Sequence, residues 1–277
     1  MLRIISIGLT FLLTFTIISA GAPMKIKVAI GQLRCIDSDV DGNLIRIEKQ
    51  VNEASGEGAK AVFFPETALI GWVNPDAHRL AEPIPGKYTE LIGNIARKYN
   101  VLIGIGLCEK DGDIIHDSAV LIDNSGKILL KHRKISILSH LMDKPYVPGR
   151  KEDISAADTP IGKIGMIICA DTFIDEHLEI LKEKKPDLVY IPYGWAATKD
   201  MWPEHGFNLV KLVQKAAMKI GAPVIGSDVV GEITHGPWTG RTYGGLSIAV
   251  DGDGVLLVQG KFAKEDLIVF DVEVGGE

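Results

Sequence analysis

Gly165-Met166-Ile167-Ile168-Cys169-Ala170-Asp171-Thr172-Phe173 decides how the rest of the chain is read. An apolar run beginning at Ile164 stops at a cysteine, and polar residues begin there. Ile164 to Ile168 has the length and branched side chains of a buried strand. In α/β proteins the C-terminal end of a strand, where it feeds a helix, is where chemistry is placed. A thiol there, near a helix N-terminus, would have its thiolate favoured by the helix dipole. A lone cysteine is more often a buried structural thiol, so Cys169 reads as a nucleophile only with further groups around it.

Two other segments supply such groups. Ala61-Val62-Phe63-Phe64-Pro65-Glu66-Thr67 is an apolar strand ended by proline and then a carboxylate. Proline cannot donate to a ladder, so Glu66 projects from the strand's end rather than from its middle. Ile128-Leu129-Leu130-Lys131-His132-Arg133-Lys134-Ile135-Ser136 is a short strand running into a basic cluster. Taken singly, Glu66 reads as a solvated loop acid and Lys131 to Lys134 as a solvated basic edge. Together with Cys169 they provide a base, a cation and a nucleophile, each at the exit of an apolar strand.

Pro65-Glu66, His132-Arg133-Lys134 and Ile168-Cys169-x-Asp171, in that order and spacing, resemble the nitrilase superfamily of carbon–nitrogen hydrolases, in its amidase/carbamoylase-like branch. Met24 to Gln32 is similar to the family's opening strand, and Tyr146-Val147-Pro148-Gly149 to the turn before its central strands. Tyr243 to Asp251 resembles an aromatic-Gly-Gly-Ser strand near its end. The likeness runs from Met24 to about Val274. It implies a four-layer αββα sandwich over residues 24–277, assembled as homodimers or larger homo-oligomers through a helical face. Periodicity alone gives only an α/β class.

The resemblance also implies roles. Amide and nitrile carbons are poor electrophiles, so their hydrolysis needs an activated nucleophile, a proton shuttle and a site for negative charge. Cys169 would attack and form a thioester. Glu66 would act as general base, taking the thiol proton and later activating water. Lys134 would stabilise the oxyanion with the backbone N–H of Ala170, its compact ammonium suiting a dry pocket. Arg133 is the less suitable cation, because the matching motif places it at the lysine. Tyr193 and Trp195, in Tyr190-Ile191-Pro192-Tyr193-Gly194-Trp195, are expected as substrate walls at another strand exit. Pocket shape is expected to depend on the loops Ile70–Pro85 and Tyr193–Pro203.

Two departures from the family pattern bear on substrate. Many amidase and carbamoylase branches carry a second glutamate shortly before the Pro-Gly turn; here Met142 occupies that position, with Asp143 beside it as a shorter replacement. Nitrile-cleaving members place Trp-Glu after the cysteine, whereas this chain has Ala170-Asp171. The expected activity is therefore hydrolysis of a small linear amide or carbamoyl compound. The alternatives are a nitrilase and, from a different class, a catalytically silent binding member of the same fold.

Composition fits such an enzyme. The chain has 277 residues, 46% hydrophobic and 24% charged, with a formal charge of −6, enough for one large core. The acidic balance, with no basic stripe interleaved with aromatics, argues against nucleic acid as a partner. Cys35 and Cys108 read as core thiols; no disulfide framework or zinc spacing is present, and neither metal nor cofactor is expected. Residues 1–23 begin with Met1-Leu2-Arg3, continue through an apolar stretch and end in small residues, the pattern of a signal peptide or hydrophobic anchor. Export or anchoring is expected, with any membrane contact confined to this segment; translation from Met24 would leave the protein cytoplasmic.

Elsewhere helices are expected at Asp41–Glu53 with Asp41 as cap, Tyr88–Tyr99, Glu176–Glu183 and Glu204–Ile220, the last burying Phe207, Val210, Val213, Ala217 and Ile220. Asp123-Asn124-Ser125-Gly126 and Asp251-Gly252-Asp253-Gly254 read as hairpin turns, the second lacking the further ligands that calcium would need.

Overall fold

The computed structural model describes residues 23–142 and 144–275. The N-terminal segment read as a signal or anchor, apart from Pro23, and Asp143 lie outside the described residues. In chain order the strands are β1 (Met24–Gln32), β2 (Ala61–Phe63), β3 (Leu102–Asp111), β4 (Ile114–Ile122), β5 (Ile128–Arg133), β6 (Ser155–Thr159), β7 (Gly162–Met166) and β8 (Leu188–Pro192). They continue as β9 (Ala196–Ala197), β10 (Val224–Ser227), β11 (Val230–Glu232), β12 (Thr242–Gly244), β13 (Ile248–Val250), β14 (Leu256–Gln259) and β15 (Asp266–Val274). The helices are α1 (Val40–Gly56), α2 (Ala77–Leu80), α3 (Lys87–Tyr99), α4 (Asp175–Glu183) and α5 (Glu204–Ile220).

Two six-stranded sheets form, in the orders β15-β1-β2-β3-β4-β5 and β14-β13-β10-β8-β7-β6, with a small third sheet β11-β12-β9. Alternation along the strands builds the layers. In β1, Ile26, Val28 and Ile30 join the core cluster shared with the second sheet, whereas Ala29 belongs to the cluster under the helices. The same split separates Phe63 from Val62 and Leu121 from Val120. Helices α1 and α3 cover the outer face of the first sheet through Ile47, Val51, Ile92 and Ala96. Helices α4 and α5 bring Leu178, Leu181, Leu209 and Val213 to the core of the second.

The sheets meet through aromatic side chains. The Phe63 and Tyr190 rings lie 5.0 Å apart, and the Tyr190 hydroxyl donates to the carbonyl of Phe64 on the facing sheet. A Cβ at Gly104 would stand 2.8 Å from the Tyr190 ring, so glycine at that position is what lets the ring enter. The result is the helix–sheet–sheet–helix sandwich expected from the family resemblance.

Sequence patterns located most elements to within a few residues, with informative exceptions. Helix α1 is capped by Asp39, whose carboxylate accepts from Gly42 N at 3.2 Å, rather than by Asp41. In α5 the buried stripe is Leu209, Val213, Ala216, Ala217 and Ile220; Phe207 is 55% exposed, because the stripe is rotated toward small residues that let the helix sit close to the sheet. At the second acidic turn Asp251 Oδ1 accepts from the backbone N–H groups of Asp253 and Val255 at 3.0 and 2.8 Å, the internal bonding of a tight hairpin. Among the described residues no helix is long and apolar enough to cross a membrane.

Candidate active site

Glu66 is held where the two sheets meet. Beyond β2 the chain stays alongside β3, with Phe64 N donating to Gly104 O and Ala68 N to Gly106 O at 2.8 and 2.9 Å. A Cβ at Gly106 would lie 2.5 Å from the Cα of Glu66; only glycine admits this approach. Glu66 N donates to the carbonyl of Tyr193 on the other sheet at 3.3 Å.

Strand alternation sorts the basic cluster. Lys131 and Arg133 point one way and share Glu109, at 2.6 Å for Lys131 Nζ and 2.7 and 2.8 Å for the Arg133 guanidinium. His132 and Lys134 point the other way, into the protein, where both are buried. This is the physical reason the inward cation is Lys134 and not Arg133.

Cys169 follows the end of β7 in a 3-10 turn, Cys169–Phe173. Its φ is +42°, a left-handed conformation that costs a non-glycine residue of order 1–3 kcal/mol and clusters at functional sites. Asp171 fixes this turn to the basic segment. Its Oδ1 accepts from Ile135 N and Ser136 N at 3.0 and 2.8 Å, and its Oδ2 from His132 Nε2 and Ile168 N at 3.0 and 3.1 Å. Burial alone would raise the Asp171 carboxyl, but the bond from His132, its charge and the backbone donors hold it below the usual carboxylate value. One carboxylate thereby sets the spacing between the loop of Lys134 and the turn of Cys169.

The three side chains converge. Lys134 Nζ donates to Glu66 Oε1 and stands 3.4 Å from Asp117 Oδ2, with its ammonium 5.3 Å from the centre of the Trp72 ring. Glu66, Lys134, Asp117 and Cys169 are all buried. Burial would lower the Lys134 ammonium, but the charges of Glu66, Cys169 and Asp117 keep it well above the ordinary lysine value, so it remains a cation. Burial and the Glu66 carboxylate push the Cys169 thiol well up, against the opposing pull of Lys134 and the Gly194 N–H. The expectation of a thiolate favoured by a helix dipole is therefore corrected: α4 starts only at Asp175, and the resting group is a thiol that needs a base.

A sequence profile of the carbon-nitrogen hydrolase family matches residues 27–276. This chain belongs to the carbon-nitrogen hydrolase family. Nitrilase 3 of Arabidopsis thaliana is 26% identical over 290 aligned positions, which cover 95% of this chain and 83% of that protein. The deaminated glutathione amidase of Yersinia enterocolitica is 27% identical over 258 positions, 88% of this chain and 85% of that one. Among solved structures, Saccharomyces cerevisiae Nit3 superposes with a TM-score of 0.78 at 23% identity, covering 90% of each chain. An amidase from Nesterenkonia sp. AN1, with the acetamide moiety of fluoroacetamide on its active-site cysteine, gives 0.77 at 19% identity and the same coverage. At those identities the superpositions speak to fold.

In this carbon-nitrogen hydrolase the other expected site residues fall differently. Ala170 is half-buried directly after the cysteine. The Tyr193 ring is fully buried and packs toward Gly226 in the core of the second sheet. Its backbone N–H continues the ladder to Ser227 O at 2.8 Å, which turns the ring inward; Tyr193 thus borders the site by backbone rather than as an aromatic wall. Trp195 is stacked on His205 at 4.6 Å, with its indole N–H donated to His205 O at 2.8 Å. A small cavity of about 20 Å³ lies beside Lys134, lined by Trp72, Asp117, Ile137, Met142 and Tyr146 among others. Met142, at the position of the absent second glutamate, contributes only its apolar side chain there.

Asp117 and Trp72 were not singled out in the sequence. The signal for Asp117 was present: a carboxylate inside the apolar run Ile114–Ile122 has no reason to be there unless it meets a partner. Trp72 lies in the loop expected to shape the pocket, but nothing local marks it as the residue over the lysine.

Proposed function

We propose that this carbon-nitrogen hydrolase is a Cys169-dependent amidase or carbamoylase acting on a small amide or carbamoyl substrate. The observation that carries the reading is the buried contact of Lys134 with Glu66 beside Cys169, a base, a cation and a thiol brought together out of water. Glu66 Oε1 is engaged by Lys134, and Oε2 is buried without a hydrogen-bond partner. In this mechanism Glu66 takes the Sγ proton as sulfur attacks the carbonyl carbon. Lys134 and the Ala170 N–H stabilise the oxyanion. Glu66 then passes the proton to the departing nitrogen, the C–N bond breaks, and ammonia or an amine leaves a thioester. Water, deprotonated by Glu66, cleaves the thioester; the carboxylate product leaves and the proton returns to sulfur. The raised Cys169 thiol requires this concerted transfer rather than a standing thiolate.

Ala170-Asp171 after the cysteine supports an amide or carbamoyl substrate over a nitrile; the relatives carry the names of both amidases and nitrilases. The same proposal includes homo-oligomer assembly, supported by the exposed Phe207 and Met218 of α5, and export or anchoring through residues 1–23, supported by their composition.

Purified protein beginning at Met24, incubated with small amides, carbamoyl amino acids and nitriles, tests the function. Ammonia release from an amide or carbamoyl class that disappears in Cys169→Ala is expected. Release from nitriles alone would replace the amidase reading with a nitrilase. No release from any class, with Cys169 also inert to alkylation, would leave a silent member of the fold.

A further inference from the structure

We propose that Asp117 is a neutral acid whose O–H donates a hydrogen bond to the Glu66 carboxylate, and that it thereby positions the general base. The proposal rests on the amidase reading above.

Asp117 sits in β4 between β3 and β5, with Cys108 opposite it on β3. Its side chain is 1% exposed, and its Oδ2 lies 3.4 Å from Lys134 Nζ, the nitrogen that also contacts Glu66 Oε1. Its carboxyl is in hydrogen-bonding contact with that of Glu66. Two ionised carboxylates cannot make such a bond, because each is an acceptor only; it needs an O–H on one of them. The charges agree. With both acids ionised, one ammonium would face two buried anions, and the surplus negative charge would stand out of water at far greater cost than a neutral carboxyl. Like charges this close make one of the two acids keep its proton.

The proton falls on Asp117, because Lys134 donates to Glu66 but stands farther from Asp117. Burial and the Glu66 charge raise the Asp117 carboxyl well above its ordinary value, against the pull of Lys134. The other titratable groups that face the cluster are Cys108 on β3, Tyr146 beyond β5 and Cys169 after β7, each pushed up by burial. None of them brings a positive charge that would draw the proton off. Among the described residues no neighbouring N–H or hydroxyl donates to either Asp117 oxygen, so nothing else stabilises an anion there.

A neutral Asp117 does two things for the base. Its O–H fixes the orientation of the Glu66 carboxylate beside Cys169. It also leaves Lys134 with one counter-ion instead of two, so no second buried anion repels the oxyanion as it forms. The proton stays on Asp117 throughout, and bond making remains with Cys169 and Glu66.

Infrared spectroscopy reads this proton directly. The difference between wild type and Asp117→Asn at pH 7 is expected to contain the C=O stretching band of a neutral carboxylic acid. Labelling the aspartate carboxyls with 13C should move that band to lower frequency. No acid band would mean that both groups are ionised, and a band unmoved by the label would put the proton on Glu66; either overturns the inference. On an amide that the enzyme cleaves, Asp117→Ala is expected to lower kcat about 10- to 100-fold, the effect of one buried hydrogen bond to a charged group. Asp117→Asn, neutral and still a donor through its NH2, should recover most of that loss. Asparagine as slow as alanine, or no loss in alanine, would also overturn it. The infrared comparison needs only Asp117→Asn, so it holds even if Asp117→Ala does not fold. Wild-type protein that releases ammonia from no amide would defeat the amidase reading, while the band still decides where the proton lies.

Discussion

Asparagine in place of Asp171 removes charge from a group that serves four donors at once. The carboxylate accepts from three backbone N–H groups and from His132 Nε2, all between 2.8 and 3.1 Å. The amide that replaces it has one oxygen, and its NH2 must face two of those donors. Two bonds to a charged acceptor are lost at about 1.5–3 kcal/mol each, and relief of the buried charge offsets part of this. The net cost is about 3–5 kcal/mol, as for other broken buried pairs. For a domain of this size that lowers Tm by roughly 6–20 °C, which calorimetry reads directly. Because the bonds to Oδ1 hold the loop of Lys134 and those to Oδ2 hold His132 and the strand end before Cys169, losing either pair loosens the site and kcat should fall as well. A variant melting within about 3 °C of wild type with normal turnover would refute the claim that Asp171 sets the spacing between Lys134 and Cys169.

Gly106→Ala would place a Cβ 2.5 Å from Glu66 Cα and 2.8 Å from Thr67 N and Pro65 O; all are backbone atoms, so Glu66 must shift, and a loss of about 100-fold in kcat is expected in steady-state assays of the folded variant. At Glu109 burial opposes ionisation, but Arg133, Lys131 and Ser118 bring the carboxyl down to about 2. Because the folded value lies below the unfolded one, its stabilisation is full above about pH 4.5 and is lost as pH falls toward about 2. Urea midpoints of wild type and Glu109→Gln should therefore differ at pH 6 and converge near pH 2; a constant gap would contradict the assignment. Alkylation of Cys169 by iodoacetamide in the absence of substrate should rise about tenfold per pH unit from 7 to 9, because its thiol is pushed up; a plateau in that range would show a standing thiolate.

What could be read in advance follows from how local each signal is. Glu66, Lys134 and Cys169 were visible because each ends an apolar run, and a polar residue at a strand exit is a pattern contained in a few positions. The hairpin at Asp123–Gly126 was equally local, with Asp123 N donating to Lys127 O at 2.9 Å. The partners of those residues were not local. Asp171 reaches His132 across 39 positions of sequence, and Lys134 reaches Glu66 across 68. Asp117 and Trp72 acquire meaning only when the sheets are stacked. The burial of Tyr193 depends on its register with Ser227, which no pattern around Tyr193 contains. On α5 the apolar stripe was wide enough to admit two faces, and packing against the sheet chose the one with Ala216 and Gly206 over the one with Phe207.

The pairing of β1 with β15 runs unbroken from Met24 opposite Val274 to Gln32 opposite Asp266. The first strand described is therefore flanked by β2 on one side and by the last strand on the other. During synthesis β1 emerges before the other described strands and waits for Asp266–Val274 before its second edge is covered. A product cut short before Asp266 would present nine residues of open backbone, apolar on both faces from Val28 to Gly31, to any passing strand. Synthesis through β15 thus acts as a checkpoint against self-association: protein that includes it buries its own template, and protein cut before it displays it.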